Sequence, residues 1–281
     1  MTHDAELATL ERLLDDPSPV VRLAVLTKLK AAGMQGVLWL EEMSKDQSLA
    51  IHAHNLLVDL RTPEAAAQAF LNQVRDAHSD LEEACLLMER VTNPALRNDA
   101  YTLELDRLAA RTRELMAEPL DLRAKCRLLC RVIFGEEGYR GAQESFAVPS
   151  SSLLSQVIHS KRGIPISLCL VYLLVARRLG LPVEPVGLPG RFMVGIFRGR
   201  EPLYIDCYEG GAFRTRAEVQ LLLLDNQLPA DEAFLQPVST HQTLARCCRN
   251  LVSQFEAQGD DKSSRLFLGF VHALDRHDER A

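Results

Sequence analysis

The side chains best suited to covalent chemistry are seven cysteines, Cys85, Cys126, Cys130, Cys169, Cys207, Cys247 and Cys248. A thiolate attacks a carbonyl when a neighbouring imidazole or a helix N-terminus lowers its pKa. The cysteine count is odd, no two form a CxxC pair, and no Cys/His cluster has the spacing of a zinc site. Reduced thiols, with no cofactor and no metal, are the expectation. Cys126 and Cys130 lie four apart on one helix face, where small buried hydrophobes are the simpler reading than a metal or redox pair. A nucleophilic thiol also needs a base, yet of eight histidines none lies between His159 and His241. Gly190, Gly210 and Gly211 read as turn residues and belong to no phosphate-binding pattern.

A chain of 281 residues exceeds a typical domain of about 150, so one large or two modest domains are expected. Apolar residues make up 47% and charged residues 25%, the balance of a soluble globular protein. No run of about 20 uncharged apolar residues appears, which argues against a membrane protein. The opening MTHDAELATLERLLDD is acidic and helical in period and lacks the parts of a signal peptide, which predicts a cytoplasmic location. The net charge of −6, without a basic run threaded by aromatics, argues against a dedicated nucleic-acid surface.

Residues 5 to 60 carry an internal repeat. DDPSPVVRLAVLTKL, from Asp15, returns thirty residues later as KDQSLAIHAHNLLVDL, from Lys45, pairing Asp16 with Asp46, Ser18 with Ser48 and Leu26 with Leu56. Asp16 or Ser18 can cap a helix, Pro19 suits its first turn, Val21, Val25, Leu26 and Leu29 recur at helical spacing, and Gly33 ends it. Helical periods continue from Pro63 to about Phe134. The glycines, proline and serines of GEEGYRGAQESFAVPSSSL then read as a loop. A loop of that length is unusual in a compact domain and is often functional. A helix from about Leu153 is interrupted by Gly163 and Pro165. ISLCLVYLLVARRL is apolar almost all round, hence buried, and Gly180 stops it. Three short apolar runs near 182–187, 191–198 and 202–208 predict an antiparallel meander. RTRAEVQLLLL is helical again, and TLARCCRNLVSQFEAQGDDKSSRLFLGFVHALD makes a final helix pair across a Gly-Asp turn. The prediction is an α+β protein, mainly α, with every element before Ser150 helical.

Two kinds of resemblance sharpen this outline. LLDDPSPVVRLAVLTKL resembles a HEAT repeat, and the C-terminal pair loosely resembles a tetratricopeptide hairpin. RGIPISLCLVYLLVARRLGLPVEPVGLPGRFMVGIF and YIDCYEGG resemble the bacterial SirB-type transglutaminase-like family, over roughly Asp80 to Leu224. The domains expected are HEAT-like helix pairs over 1–62, the transglutaminase-like domain over 63–235 and the tetratricopeptide-like pair over 236–281.

The resemblance implies a site. Active members of the wider superfamily hold a Cys at the start of the buried helix, a His on the next strand and an Asp one strand further. The nucleophile is then expected between Pro165 and Ser167, where no Cys stands and Ser167 offers a hydroxyl without a base. Arg191 occupies the place of His in a PGHF-like word, and Asp206 keeps the Asp position. A guanidinium with a pKa above about 12 is no general base near neutrality. Arg191 and Asp206 are expected within salt-bridge distance near the start of the helix that begins around Ile166. They form either a structural pair or a holder for a small anion or peptide carboxylate. Cys169 is the nearest thiol, read as core or as a displaced nucleophile. Cys207 is read as core, and His159 as an exposed histidine or a substitute base.

Three functions remain open on this reading. The first is a non-catalytic protein-interaction or scaffold protein, a pseudoenzyme with a protein partner. The second is a thiol-dependent hydrolase or acyl transferase using Cys169 or Ser167, and the third is anion binding through Arg191.

Overall fold

The computed structural model describes residues 9–76, 79–97, 99–117, 119–143 and 147–278. The helical reading of residues 5–8 and the middle of the loop reading, residues 144–146, lie outside the described residues. The chain divides into two compact units, one of Met1–Gln73 with Leu87–Leu96 and the other of Val74–Leu86 with Arg97–Ala281.

The first unit contains helices α1 (Pro19–Ala31), α2 (Met34–Met43), α3 (Ala50–Leu60) and α4 (Pro63–Gln73). The thirty-residue repeat reappears as geometry. Asp16 Oδ1 accepts the Ser18 N–H at 2.8 Å, and Asp46 Oδ1 accepts the Ser48 N–H at 2.8 Å. In each copy the aspartate closes the turn that feeds the helix, as short polar side chains do. Gly33, at φ +59°, turns the chain between α1 and α2, a conformation that costs glycine no steric penalty. Helical spacing then buries Val25, Leu29, Leu40, Leu56, Leu57 and Leu60 in one core. At its edge Glu41 Oε1 takes Arg61 Nη2 at 2.5 Å and Arg90 Nη2 at 2.9 Å.

The second unit holds the first part of α5 (Leu81–Arg90), then α6 (Asp99–Leu115) and α7 (Leu122–Cys130), which runs into a π-helical turn at Arg131–Glu136. It continues through β1 (Arg140–Gly141), α8 (Leu154–Ser160), β2 (Arg162–Gly163) and α9 (Pro165–Arg178). After α9 come β3 (Glu184–Val186), β4 (Met193–Ile196), β5 (Leu203–Asp206), β6 (Ala212–Thr215), α10 (Arg216–Asp225), α11 (Thr240–Ala257) and α12 (Asp261–Asp278). The protein is therefore mainly helical with a small antiparallel sheet, an α+β architecture. Among the described residues no helix is long and apolar enough to cross a membrane.

β3 to β6 form a four-stranded antiparallel meander in sequence order, with Val186 opposite Met193, Val194 opposite Ile205, and Ile205 opposite Phe213. The expected three-stranded sheet is thus corrected to four. The fourth strand follows a Gly210-Gly211 turn at φ +66° and +78°, closed by the Gly211 N–H on the Asp206 carbonyl at 2.9 Å. The expectation of helix alone before Ser150 is corrected as well, because β1 pairs in parallel with β2, Arg140 opposite Arg162 and Gly141 opposite Gly163. Backbone bonds flank this ribbon, Arg140 N–H to the Lys161 carbonyl at 3.0 Å and Ala142 N–H to the Gly163 carbonyl at 2.9 Å. Strands of two residues are too short to show a two-residue hydrophobic period.

At the C-terminal end α11 and α12 pack on each other across a turn at Gly259, with Phe255 stacked on Phe267 at 5.5 Å.

Candidate functional site

Helix α9 begins from Ile164 in extended backbone, with Pro165 in its first turn, where a missing N–H costs no hydrogen bond. Every residue from Ile166 to Ala176 is buried. A helix this enclosed can hold a side chain rigidly at its start, as a nucleophile requires.

The residue at that start is Ser167, fully buried, with Oγ 2.7 Å from the Ser151 carbonyl and 3.0 Å from the Ile164 carbonyl. Its single O–H has two backbone acceptors and no imidazole. Gly163 makes room for it, since a Cβ there would lie 2.5 Å from Ser167 Oγ. Two residues on, the Cys169 thiol donates to the Phe192 carbonyl at 3.4 Å and is also fully buried. This bond brings the second turn of α9 against the entry to β4, beside Arg191.

His159 is exposed at the last turn of α8. His241 is buried elsewhere, with Nε2 2.9 Å from the Val74 carbonyl. The structure sets Cys169 against Phe192, the neighbour of Arg191, places the Ser167 hydroxyl on the Ser151 and Ile164 carbonyls, and brings His159 to neither.

Around α9 the buried thiols of Cys126, Cys130 and Cys207 are held in the protonated form. Burial pushes Cys126 up to about 11 and Cys130 up to about 12. Burial, with Cys169 alongside, holds Cys207 well above the usual thiol range. Such sulfurs are poor nucleophiles at neutral pH, because the thiolate is the reacting form. Among the described residues no group of His, Cys, Asp and Glu is arranged to hold a metal ion.

Arg191 leaves the Leu188–Arg191 turn, where Gly190 sits at φ +70°. Its Nη2 lies 2.7 Å from Asp206 Oδ2 and 3.1 Å from Glu209 Oε1. Asp206 is fully buried at the end of β5, while Arg191 keeps 26% of its side chain exposed. Asp206 Oδ1 also accepts the Glu209 N–H at 3.3 Å. The contact with Oδ2 is an ion pair outside hydrogen-bonding geometry, which leaves Asp206 Oδ2 and Arg191 Nε buried without a hydrogen-bond partner. Burial raises the Asp206 carboxyl above its ordinary range, against the opposing charge of Arg191. The cluster is one guanidinium shared by two carboxylates. It can store charge and fix the turn, but it offers no neutral base.

Glu209 was not anticipated as a member of this cluster. The word YIDCYEGG contains it, but a glutamate beside two glycines reads as a solvated turn residue. Beside Arg191 a pocket of about 290 Å³ opens between the 188–191 turn and α10, lined by Leu188, Val219, Leu223 and Leu228. A capping box between Thr215 and Glu218 starts α10 and fixes that wall.

Comparison with known proteins agrees with this fold. A sequence model described as the transglutaminase-like superfamily matches residues 99–249. A UPF0162 protein of Xylella fastidiosa strain Temecula1 is 32% identical over 198 residues, covering 66% of this chain and 68% of its own length. A UPF0162 protein of Pseudomonas aeruginosa is 30% identical over 223 residues, covering 76% of this chain and 81% of its own. The mouse F-box only protein 21 is 30% identical over 143 residues, which is 48% of this chain and 22% of that protein. No solved structure matches this chain significantly. With the buried helix, the meander and a matched region spanning more than half its length, the chain belongs to the transglutaminase-like superfamily.

Proposed function

We propose that this chain is a non-catalytic protein-interaction or scaffold protein, a pseudoenzyme of the SirB-type branch built on a degenerate transglutaminase-like core. The observation that carries the reading is the place of the base. The strand entry that should present an imidazole presents Arg191, bound to Asp206 at 2.7 Å and Glu209 at 3.1 Å. A guanidinium stays protonated near neutrality and cannot take a proton from a nucleophile. The nucleophile position supports the same reading, because the Ser167 hydroxyl faces two backbone carbonyls. We further assign the helices of residues 1–62 to HEAT-like pairs and those of 236–281 to a tetratricopeptide-like pair, flanking the core over 63–235. Helix pairs of these kinds present grooves to protein partners, and the location assigned is the cytoplasm.

The test is enzymatic. Purified full-length protein, offered generic transglutaminase and amidase substrates and an activity-based thiol probe, should show no turnover or labelling above background. Turnover that disappears in Cys169→Ala or Ser167→Ala would establish an enzyme and overturn the reading.

A further inference from the structure

The anion-binding role considered for Arg191 meets an obstacle in the geometry, since that guanidinium already serves two carboxylates. Two other arginines nearby are not so engaged. Arg140 and Arg162 stand directly opposite each other across the β1–β2 ribbon. Neighbouring strands lie about 4.8 Å apart, and directly paired residues project to the same side. Both side chains line one pocket of about 390 Å³, together with Gly141, Gln143, Tyr208 and Glu209. Neither guanidinium forms an ion pair or a side-chain hydrogen bond with any described residue. Both side chains are exposed, and an anion set between two like charges on neighbouring strands would be attracted by both.

The pocket is also shaped. A Cβ on Gly141 would lie 2.5 Å from the Tyr208 ring, so the phenol rests directly on the ribbon backbone beside Arg140. Gln143 and the Tyr208 hydroxyl add neutral donors, neither bonded to a described residue. Glu209 contributes one negative charge to the lining, already shared with Arg191. Two arginines and one glutamate leave a net lining charge of +1, which suits a single carboxylate group. Planar guanidinium forks match a carboxylate in two parallel hydrogen bonds.

We infer that the pocket between the β1–β2 ribbon and Tyr208 is a carboxylate-binding site, with Arg140 and Arg162 as its paired anchors. The inference goes beyond the scaffold reading and does not depend on it. An active enzyme could possess the site, and an inert scaffold could lack it. The carboxylate can belong to a free dicarboxylate or to an acidic side chain of a peptide, and the chemistry of recognition is the same.

The experiment is calorimetric titration of the full chain at constant ionic strength with succinate, inorganic phosphate and a short unstructured glutamate-rich peptide. Saturable binding of succinate or the peptide is expected, weakened about tenfold or more in Arg140→Gln and in Arg162→Gln. Arg200→Gln, which removes an exposed arginine outside the pocket, should bind as the wild type does. Gly141→Ala should weaken binding with both arginines intact, because it displaces the Tyr208 ring. That result separates a shaped site from diffuse positive charge. Glu209→Gln should strengthen binding, because it removes the negative charge from the lining. Peptide binding tighter than succinate supports the site and assigns the carboxylate to a peptide, while the reverse order supports it and assigns a free acid. Binding equal in the wild type and in Arg140→Gln/Arg162→Gln, or no binding of either carboxylate up to about 10 mM, overturns the inference. Phosphate binding in preference to both carboxylates overturns the assignment of ligand class. Circular dichroism melts of each variant confirm that a lost signal is not lost folding.

Discussion

Arg191 and Asp206 carry unequal burdens. Asp206 is fully buried, whereas 26% of the Arg191 side chain reaches solvent and Glu209 stands by as its second partner. Arg191→Met leaves an ionised carboxylate alone in low dielectric, at a cost on the order of 3 to 5 kcal/mol. Asp206→Asn leaves the guanidinium with Glu209 and water, at about 1 kcal/mol. The two losses should also differ in their pH dependence. Burial already holds the Asp206 carboxyl above its usual range, and Arg191 opposes that shift. Without Arg191 the folded-state pKa climbs further above the unfolded value. The protonated acid then contributes stability that is complete below the unfolded pKa and is lost as pH rises through the folded one. Denaturant unfolding at about pH 5 and about pH 8 should therefore show Arg191→Met penalised more at the higher pH. Arg191→Met/Asp206→Asn should not share that difference. Equal costs for the two single variants would show that the pair does not work in this way. The pair itself was legible in the sequence, because LPGRFMV and YIDCY each fall in a recognisable word. Glu209, Arg140 and Arg162 were not, because a turn glutamate and loop arginines acquire meaning only when backbone pairing places them.

Helix α9 shows the same contrast at the scale of an element. Its burial was legible, since ISLCLVYLLVARRL has no polar face, and the structure buries it from Ile166 to Ala176. What fastens its far end was not legible. Arg178 grips Glu82 in parallel, Nη1 to Oε2 at 2.7 Å and Nη2 to Oε1 at 2.8 Å, and its Nε reaches Asp106 at 2.5 Å. Glu82 precedes it by 96 residues, and no periodicity couples positions so far apart. The clamp is mostly sheltered, with 17% of the Arg178 side chain and 19% of the Glu82 side chain exposed. A lysine keeps the charge but cannot make the two parallel bonds. Arg178→Lys should therefore lose about 1 to 2 kcal/mol, most of what Arg178→Ala loses. A double-mutant cycle with Glu82→Gln isolates the shared part, and a neutral Arg178→Lys would refute the clamp. The sheet divides in the same way. β3 to β5 fall in apolar runs that the sequence bounds with turn residues, whereas β6 is half-buried and follows the Gly210-Gly211 turn, and the two-residue strands of the β1–β2 ribbon are too short to show a period.

For the whole molecule, the division into units does not follow chain order, because Val74–Leu86 belongs with Arg97–Ala281 and Leu87–Leu96 with Met1–Gln73. A chain shortened to begin at Arg97 therefore lacks part of the unit it is meant to isolate. It loses the buried Leu81, Ala84, Cys85 and Leu86. It also loses Glu82 from the Arg178 clamp and the Val74 carbonyl that meets the buried His241. Burial, and after it the neighbouring Cys85, raise the Cys248 thiol, which places Cys85 against α11 within this unit. Deleting two leucines and a cysteine from a core forfeits on the order of 5 kcal/mol at the usual values for buried apolar side chains. That equals the lower limit of a whole domain's stability, about 5 to 15 kcal/mol, so the loss decides whether the shortened chain folds. A chain beginning at Val74 keeps all of these groups and carries Leu87–Leu96 as surplus. Thermal melts followed by circular dichroism should give a cooperative transition for 74–281 and a broad or absent one for 97–281. Equal, cooperative transitions for both would mean that Val74–Leu86 is dispensable to the unit and that the clamp on α9 contributes little to its stability.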